Sequence, residues 1–144
     1  MTRKEYFQLL IDSAVDGTFP GTRKIYDLEK DFSTIEMTVC ALRGENGTKC
    51  AVGLLIDDKD YDIRMESGDF ISLANIPEGM TKQEIFSCQT CHDSAYNHTV
   101  SDSFSNAFYK LLKKHFPNDI EIVIVENNDI ATGQSLPKIL AKVK

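Results

Sequence analysis

Apolar and polar residues repeat along the chain with two different periods. Apolar side chains recur at helical spacing between Phe7 and Ala14, so residues 3–15 are predicted to form an amphipathic helix. Residues 34–42 alternate instead, which predicts a strand with one buried face. The residues that follow, 44–47, are rich in turn formers. The chain is therefore predicted to mix helices with strands from its first third onward.

Three more helices are predicted in the second half of the chain. Thr81 and Glu84 have the spacing of a capping box, which predicts a helix from there to about Ala95. Residues 104–112 carry an apolar stripe, with Ser101 or Asp102 as the N-cap and Pro117 as the stop. Residues 137–143 begin with a proline in a predicted first turn and continue with apolar positions, which predicts a final helix.

Two apolar segments determine the predicted fold. Residues 50–56 are apolar on all sides, and Thr48 as a plausible N-cap favours a short buried helix there. Residues 120–125 are apolar on both faces of a strand, which predicts a central strand buried on both sides. We therefore expect a single α+β domain over residues 1–144, with a small mixed or antiparallel sheet packed by about four to five helices.

Composition and charge narrow the class of protein. The chain has 144 residues, 42% of them hydrophobic, and a net charge of −6. An acidic balance disfavours direct nucleic-acid binding, which needs a basic face. No apolar run is long enough for a membrane span, and the first residues lack the features of a signal peptide. We expect a cytoplasmic protein without membrane contact, and homo-oligomerisation stays open.

The cysteines offer two alternatives. Cys88, Cys91 and His92 have the spacing of a c-type haem attachment site, but covalent haem attachment normally requires export, so we expect no cofactor. Cys88 and Cys91 could also bind zinc if Cys40 and Cys50 completed the site, or if His92 did so with one of them. Free cysteines are among the most buried residues, so reduced core thiols are the favoured interpretation.

A catalytic role for Cys50 is the second alternative. A thiol near a helix start has a lowered pKa, and His92 with Asp93 would supply a base and its orienting group. The apolar residues that follow Cys50 indicate a core position instead, and a histidine beside an aspartate is more often a structural pair.

A polar segment follows the predicted central strand. Asn127, Asn128 and Asp129 bring amide groups and one carboxylate to the place where the chain leaves that strand. Ligands often bind where buried strands end, so this segment is predicted to contact a ligand or partner. Turn formation and helix entry are the competing explanation for the same residues.

Several short motifs carry a resemblance to small proteins of bacteria and their phages. A G-x-x-CAVG-x-LI block spans residues 47–56, and His92-Asp93 follows at a distance. The chain resembles an uncharacterised family with this block, and its tail is similar to a related family in which an Asn-Asp step, here Asn128-Asp129, precedes a final helix. An aromatic residue often precedes that step there, where this chain has Asn127.

The resemblance implies an accessory protein of phage or mobile-element type and no known reaction. We expect a non-enzymatic protein that binds or sequesters a host protein or a small polar ligand, and a role in counteracting host defence is one form of this expectation. A cysteine hydrolase using Cys50 and His92 and a zinc-stabilised interaction module are the alternatives.

Overall fold

A computed structural model describes residues 1–16, 18, 22–28, 34–67, 75–93, 102–128 and 133–144, with the backbone alone for residues 22–28, 34–40, 46, 67, 92, 93 and 128. It contains α-helices and antiparallel strand pairs, which confirms an α+β fold. The helices and strands are α1 (Arg3–Val15), β1 (Thr22–Leu28), β2 (Thr34–Cys40), α2 (Lys82–Asp93), α3 (Asp102–His115), β3 (Ile120–Asn128) and β4 (Ser135–Val143).

Helix α1 has the predicted bounds and a defined start. Thr2 Oγ1 accepts the Glu5 backbone N–H at 3.1 Å, and the Glu5 carboxylate accepts the Thr2 backbone N–H at 2.6 Å. This capping box satisfies two N–H groups that a helix start otherwise leaves unpaired. The buried face of α1 places Tyr6, Phe7 and Leu10 in the core. Burying each such side chain stabilises the fold by roughly 1.5–3 kcal/mol.

The predicted capping box of α2 and apolar stripe of α3 are both confirmed. Thr81 and Glu84 exchange backbone-to-side-chain hydrogen bonds at 3.1 and 3.3 Å. Phe104 and Phe108 are fully buried, their rings stacked with centroids 5.6 Å apart. Phe7 of α1 meets Phe108 edge-on, so aromatic contacts join α1 to α3. The predicted end of α2 near Ala95 lies outside the described residues.

The first strand pair is an antiparallel hairpin, and its second strand matches the predicted one. β1 pairs with β2 from Thr22↔Cys40 to Leu28↔Thr34. The turn formers after β2 close a 3₁₀ turn over Glu45–Gly47. Gly47 ends that turn with φ +77, a left-handed conformation that glycine adopts without strain. A predicted short strand at residues 70–73 lies outside the described residues.

The prediction of a final helix is wrong, because residues 135–143 form strand β4, which pairs with β3 from Ile120↔Val143 to Asn128↔Ser135. Pro137 suggested a helix start, but a proline is also tolerated in a strand at a sheet edge. Pairing with β3 supplies hydrogen bonds to backbone N–H and C=O groups of β4 that would otherwise need water as their partner. Gly133, with φ +70, precedes β4 where the chain reverses.

The prediction of a central strand buried on both sides is also wrong. In the described residues the second sheet has only β3 and β4. One face of β3 turns towards α1 and is half-buried at Val123 and Val125, whereas Ile122 and Ile124 on the other face are exposed. An apolar strand therefore reaches the surface. The described part of the chain has three α-helices, which falls short of the predicted four to five.

Residues 50–56 are buried as expected, but the helix predicted there is only a single 3₁₀ turn over Gly53–Leu55. Thr48 is not its N-cap, because Thr48 ends the preceding turn and its hydroxyl donates to the Glu45 carbonyl at 2.9 Å. A Cβ on Gly53 would lie 2.3 Å from the Leu42 carbonyl oxygen, so only glycine permits this approach of two backbone segments.

Candidate functional site

The predicted ligand segment begins with a side chain that the structure places inside the protein. Asn127 is 1% exposed, and its Nδ2 donates to the carbonyl oxygens of Ala14 at 3.3 Å and Val15 at 3.1 Å. These carbonyls belong to the last turn of α1, where a helix has fewer backbone N–H donors than carbonyl oxygens. The Asn127 amide thus holds the end of α1 against β3. The Asn128 side chain and Asp129 lie outside the described residues, so a ligand contact by residues 127–129 stays a prediction.

Three cysteines surround the buried hydroxyl of Tyr6. Cys50, Cys88 and Cys91 are buried thiols that form no disulfide, and the Tyr6 hydroxyl donates to the Ala51 carbonyl at 2.8 Å. Burial raises the pKa of Cys88 to about 12, and the charge of Glu84 adds to this effect. Burial likewise raises the pKa of Cys91 to about 12. Both thiols are therefore protonated at neutral pH and poor nucleophiles.

Cys50 does not occupy the helix start that would activate it. It lies two residues before the Val52 cap of the short 3₁₀ turn, its Sγ accepts the backbone N–H of Gly53 at 3.4 Å, and its side chain is buried in the apolar core. His92 and Asp93 lie in the last residues of α2, and their side chains are outside the described set. A Cys50–His92 pair therefore stays a prediction.

The zinc alternative has no support in the described residues. Among them, no three histidine, cysteine, aspartate or glutamate side chains are grouped so that they could hold a metal ion. Cys88 and Cys91 lie one turn apart on α2 and face the core. The Cys40 side chain, which would be needed to complete the predicted set, lies outside the described side chains.

Arg43 connects several segments of the chain, and no sequence pattern predicted this role. Its guanidinium donates to the carbonyl oxygens of Leu42 at 3.0 Å and Gly53 at 2.8 Å, and also to that of Ile56. The same group bonds the Asp58 carboxylate at 2.9 Å and lies over the Tyr61 ring. This fork of donors holds residues 53–58 against the end of β2. An arginine after a strand carries no sequence pattern that predicts such contacts.

The β3–β4 hairpin presents an apolar surface, which we call the isoleucine face and define as Ile122, Ile124 and Ile139. These side chains are 59%, 72% and 64% exposed. Ile124 and Ile139 are direct cross-strand partners, and Ile122 lies two residues from Ile124 on the same side. Other exposed apolar residues, such as Ile63 and Phe86, occur singly. A contiguous exposed apolar patch often marks a surface that binds another molecule.

A groove of about 500 Å³ runs beside the isoleucine face, between the hairpin and α3. Its α3 wall carries mostly polar groups, and its hairpin wall is mostly aliphatic but includes Lys138. The lining residues are Asp102, Ser105, Asn106, Tyr109, Ile122, Pro137, Lys138, Ile139 and Ala141. The groove combines one carboxylate, one amide, two hydroxyls and one ammonium group with aliphatic surface, which suits recognition of a protein surface.

The sequence pattern identified strand β3, but as a buried strand and not as one with an exposed apolar face. The apolar run of β3 was assigned to the interior, yet its outward isoleucines form the most exposed apolar part of the hairpin. The alternation of this run did not reveal the exposed face, because the charged residue Glu121 shares the face of Val123 and Val125 that turns towards α1. In the described part of the chain, no helix is long and apolar enough to cross a membrane. Comparisons with protein-family models, curated proteins and solved structures found no match.

Proposed function

We propose that this protein is a non-enzymatic binding protein that docks a partner protein on the isoleucine face. The observation that carries the proposal is the exposure of Ile122, Ile124 and Ile139 next to one another on one side of a hairpin. Each isoleucine that a partner buried would contribute roughly 1.5–3 kcal/mol. Three such side chains suffice for the apolar centre of a protein interface, where a few residues supply most of the binding energy.

The groove beside the isoleucine face supports a protein partner over a small polar ligand. It lies between α3 and the hairpin, and its lining joins aliphatic side chains of the hairpin to polar side chains of α3 and to Lys138. A partner can therefore bury an aliphatic or aromatic side chain against Ile122 and Ile139 while a polar group at its rim meets Asp102. This arrangement matches the apolar centre and polar rim of protein–protein interfaces.

The burial of the thiols argues against the hydrolase alternative. Cys88 and Cys91 have a pKa near 12, and Cys50 is buried in apolar surroundings. A nucleophilic thiol needs an accessible sulfur, and all three of these cysteines are buried. A binding role needs only a stable scaffold that presents a surface.

The partner that we propose is a host protein, and the protein itself would be an accessory factor of phage or mobile-element type that could counteract host defence. The support is the resemblance of residues 47–56 to small phage and bacterial proteins, together with the small size and the net charge of −6. Such proteins commonly act by occupying a surface on a larger protein, for which a small domain with one apolar face is sufficient.

Site-specific photo-crosslinking tests the proposal. A benzophenone amino acid replaces Ile124 in one variant and Ile63 in the control, because Ile63 is comparably exposed, at 65%, but lies away from the hairpin. After irradiation of the producing cells, we expect a defined protein adduct at position 124 that is absent at position 63. Equal adducts at both positions, or none at position 124, would contradict a docking role for the isoleucine face.

A further inference from the structure

We propose that the groove between α2 and α3, here called the α2–α3 groove, is a second docking site that takes an acidic amphipathic helix of a partner protein. The groove has a volume of about 460 Å³ and lies on a different side of α3 from the lining of the first groove. Its lining residues are Ser87, Thr90, Cys91, Ala107, Lys110, Leu111 and Lys114. The proposal does not depend on the isoleucine face, which binds through other residues.

The floor of the α2–α3 groove is apolar. Cys91 is 5% exposed and Leu111 is 9% exposed, and Ala107 beside them is half-buried. The α2 wall contributes the uncharged side chains of Ser87 and Thr90. The hydroxyl of Ser87 donates to the Gln83 carbonyl at 3.2 Å, and that of Thr90 donates to a carbonyl of its own helix. The surface between the two helices therefore favours an apolar side chain over a polar one.

The wall from α3 is positively charged. Lys110 and Lys114 are four residues apart and therefore lie on one face of the helix. Within the described residues neither lysine forms a salt bridge, and no acidic side chain lines the groove. Glu84, an acid on α2, is held by the capping box at its own helix start. A local pair of cations in a chain of net charge −6 complements an acidic ligand.

The position of the lysines favours a helical occupant. Residues four apart on a helix are separated by about 6 Å along its axis, so Lys110 and Lys114 match acidic residues at i and i+4 on an incoming helix. An apolar residue between those acids would reach the floor at Ala107 and Leu111. Lysines near the C-terminal end of a helix also interact favourably with the helix dipole. This effect is confined to the last turn, so it does not account for Lys110.

The test uses two synthetic helical peptides with leucines at the same positions. One peptide carries glutamates at i and i+4 and the other carries lysines there. Titration of the full-length protein is followed by NMR, with the backbone signals of Cys91, Ala107 and Leu111 reporting on the groove. We expect these signals to shift with the glutamate peptide and to stay unchanged with the lysine peptide.

Two charge-reversed variants complete the design. Lys110→Glu with Lys114→Glu should weaken binding of the glutamate peptide by about tenfold or more, because attraction becomes repulsion. The control, Lys4→Glu with Lys59→Glu, makes the same change in net charge at exposed lysines outside the groove and should bind as the wild type does. If the first variant fails to fold, replacing both lysines by glutamine tests the same attraction.

Several results would overturn the proposal. These are equal binding of the two peptides, equal weakening in the control variant, or no shift at millimolar glutamate peptide. Decanoate tests a small amphiphile in the same groove. If decanoate shifts the same signals with an affinity equal to that of the glutamate peptide, the groove binds a small carboxylate and not a helix.

Discussion

At the scale of single residues, buried polar groups of this protein hold elements together. Asn127 follows a strand in sequence, a position typical of ligand contacts, but its amide bonds carbonyl oxygens at the end of α1. Those partners are 113 and 112 residues away along the chain. No local pattern can predict a bond of that separation, so the sequence identified Asn127 as polar and well placed but not what it contacts.

Replacing Asn127 tests this structural role. Asn127→Ala leaves the Ala14 and Val15 carbonyls without their side-chain donor, and we expect a loss of about 1–2 kcal/mol in the free energy of unfolding. Asn118→Ala, at an exposed position before β3, should change it by less than about 0.5 kcal/mol. Urea denaturation measures both. If Asn127→Ala left stability unchanged and abolished partner binding, the residue would belong to a ligand site.

The three described cysteines should be unreactive in the folded protein. Their burial excludes reagents from Cys50, Cys88 and Cys91, and the pKa near 12 of the last two keeps their sulfurs protonated at neutral pH. Alkylation with iodoacetamide, read at each cysteine by peptide mass spectrometry, should be slow in buffer and fast in urea. Rapid labelling of Cys50 in buffer would revive a catalytic role for this thiol.

At the scale of elements, the sequence predicted those whose determinants are local. The capping box of Thr81 and Glu84 and the stripe that includes Phe108 specify helices through contacts a few residues apart, and both helices are present. Strand β4 was missed because its conformation depends on pairing with β3. Pro137 and the apolar residues after it fit a helix start and a paired strand equally well, and only the partner strand decides.

The contacts of Arg43 are also between elements, and their removal should be costly. Arg43→Ala removes donors from the Gly53 and Ile56 carbonyls and a partner from Asp58, so we expect a loss of roughly 2–4 kcal/mol. Arg64→Ala is the matched control, because this exposed arginine bonds Asp62 two residues away, and its loss should cost less than about 1 kcal/mol. Equal losses in urea denaturation would contradict the role of Arg43.

At the scale of the whole molecule, one apolar cluster joins residues from α1 to β4. It includes aromatic side chains of α1 and α3, the thiols of α2 and apolar residues of β4. The sequence predicted most of these core positions from helical periodicity. It could not predict the exposed side of β3, because an apolar strand has the same pattern whether its second face meets a helix or awaits a partner.

A core of this composition should not require a metal. Cys50, Cys88 and Cys91 already pack as buried apolar groups, so we expect the melting temperature to be the same with and without a strong chelator. Differential scanning fluorimetry with and without EDTA measures this, and zinc quantification of the purified protein serves as the control. Unfolding by EDTA, or one equivalent of bound zinc, would contradict the expectation.

The central claim is that the isoleucine face binds a partner protein. The most direct test is calorimetric titration with the purified partner that the photo-crosslinking experiment identifies. Ile124→Ser should weaken binding by about 10- to 100-fold, since burying this side chain is worth roughly 1.5–3 kcal/mol. The matched control Ile63→Ser should leave the dissociation constant unchanged, and binding should show a negative heat-capacity change from burial of apolar surface. Equal dissociation constants for wild type and Ile124→Ser would contradict the claim.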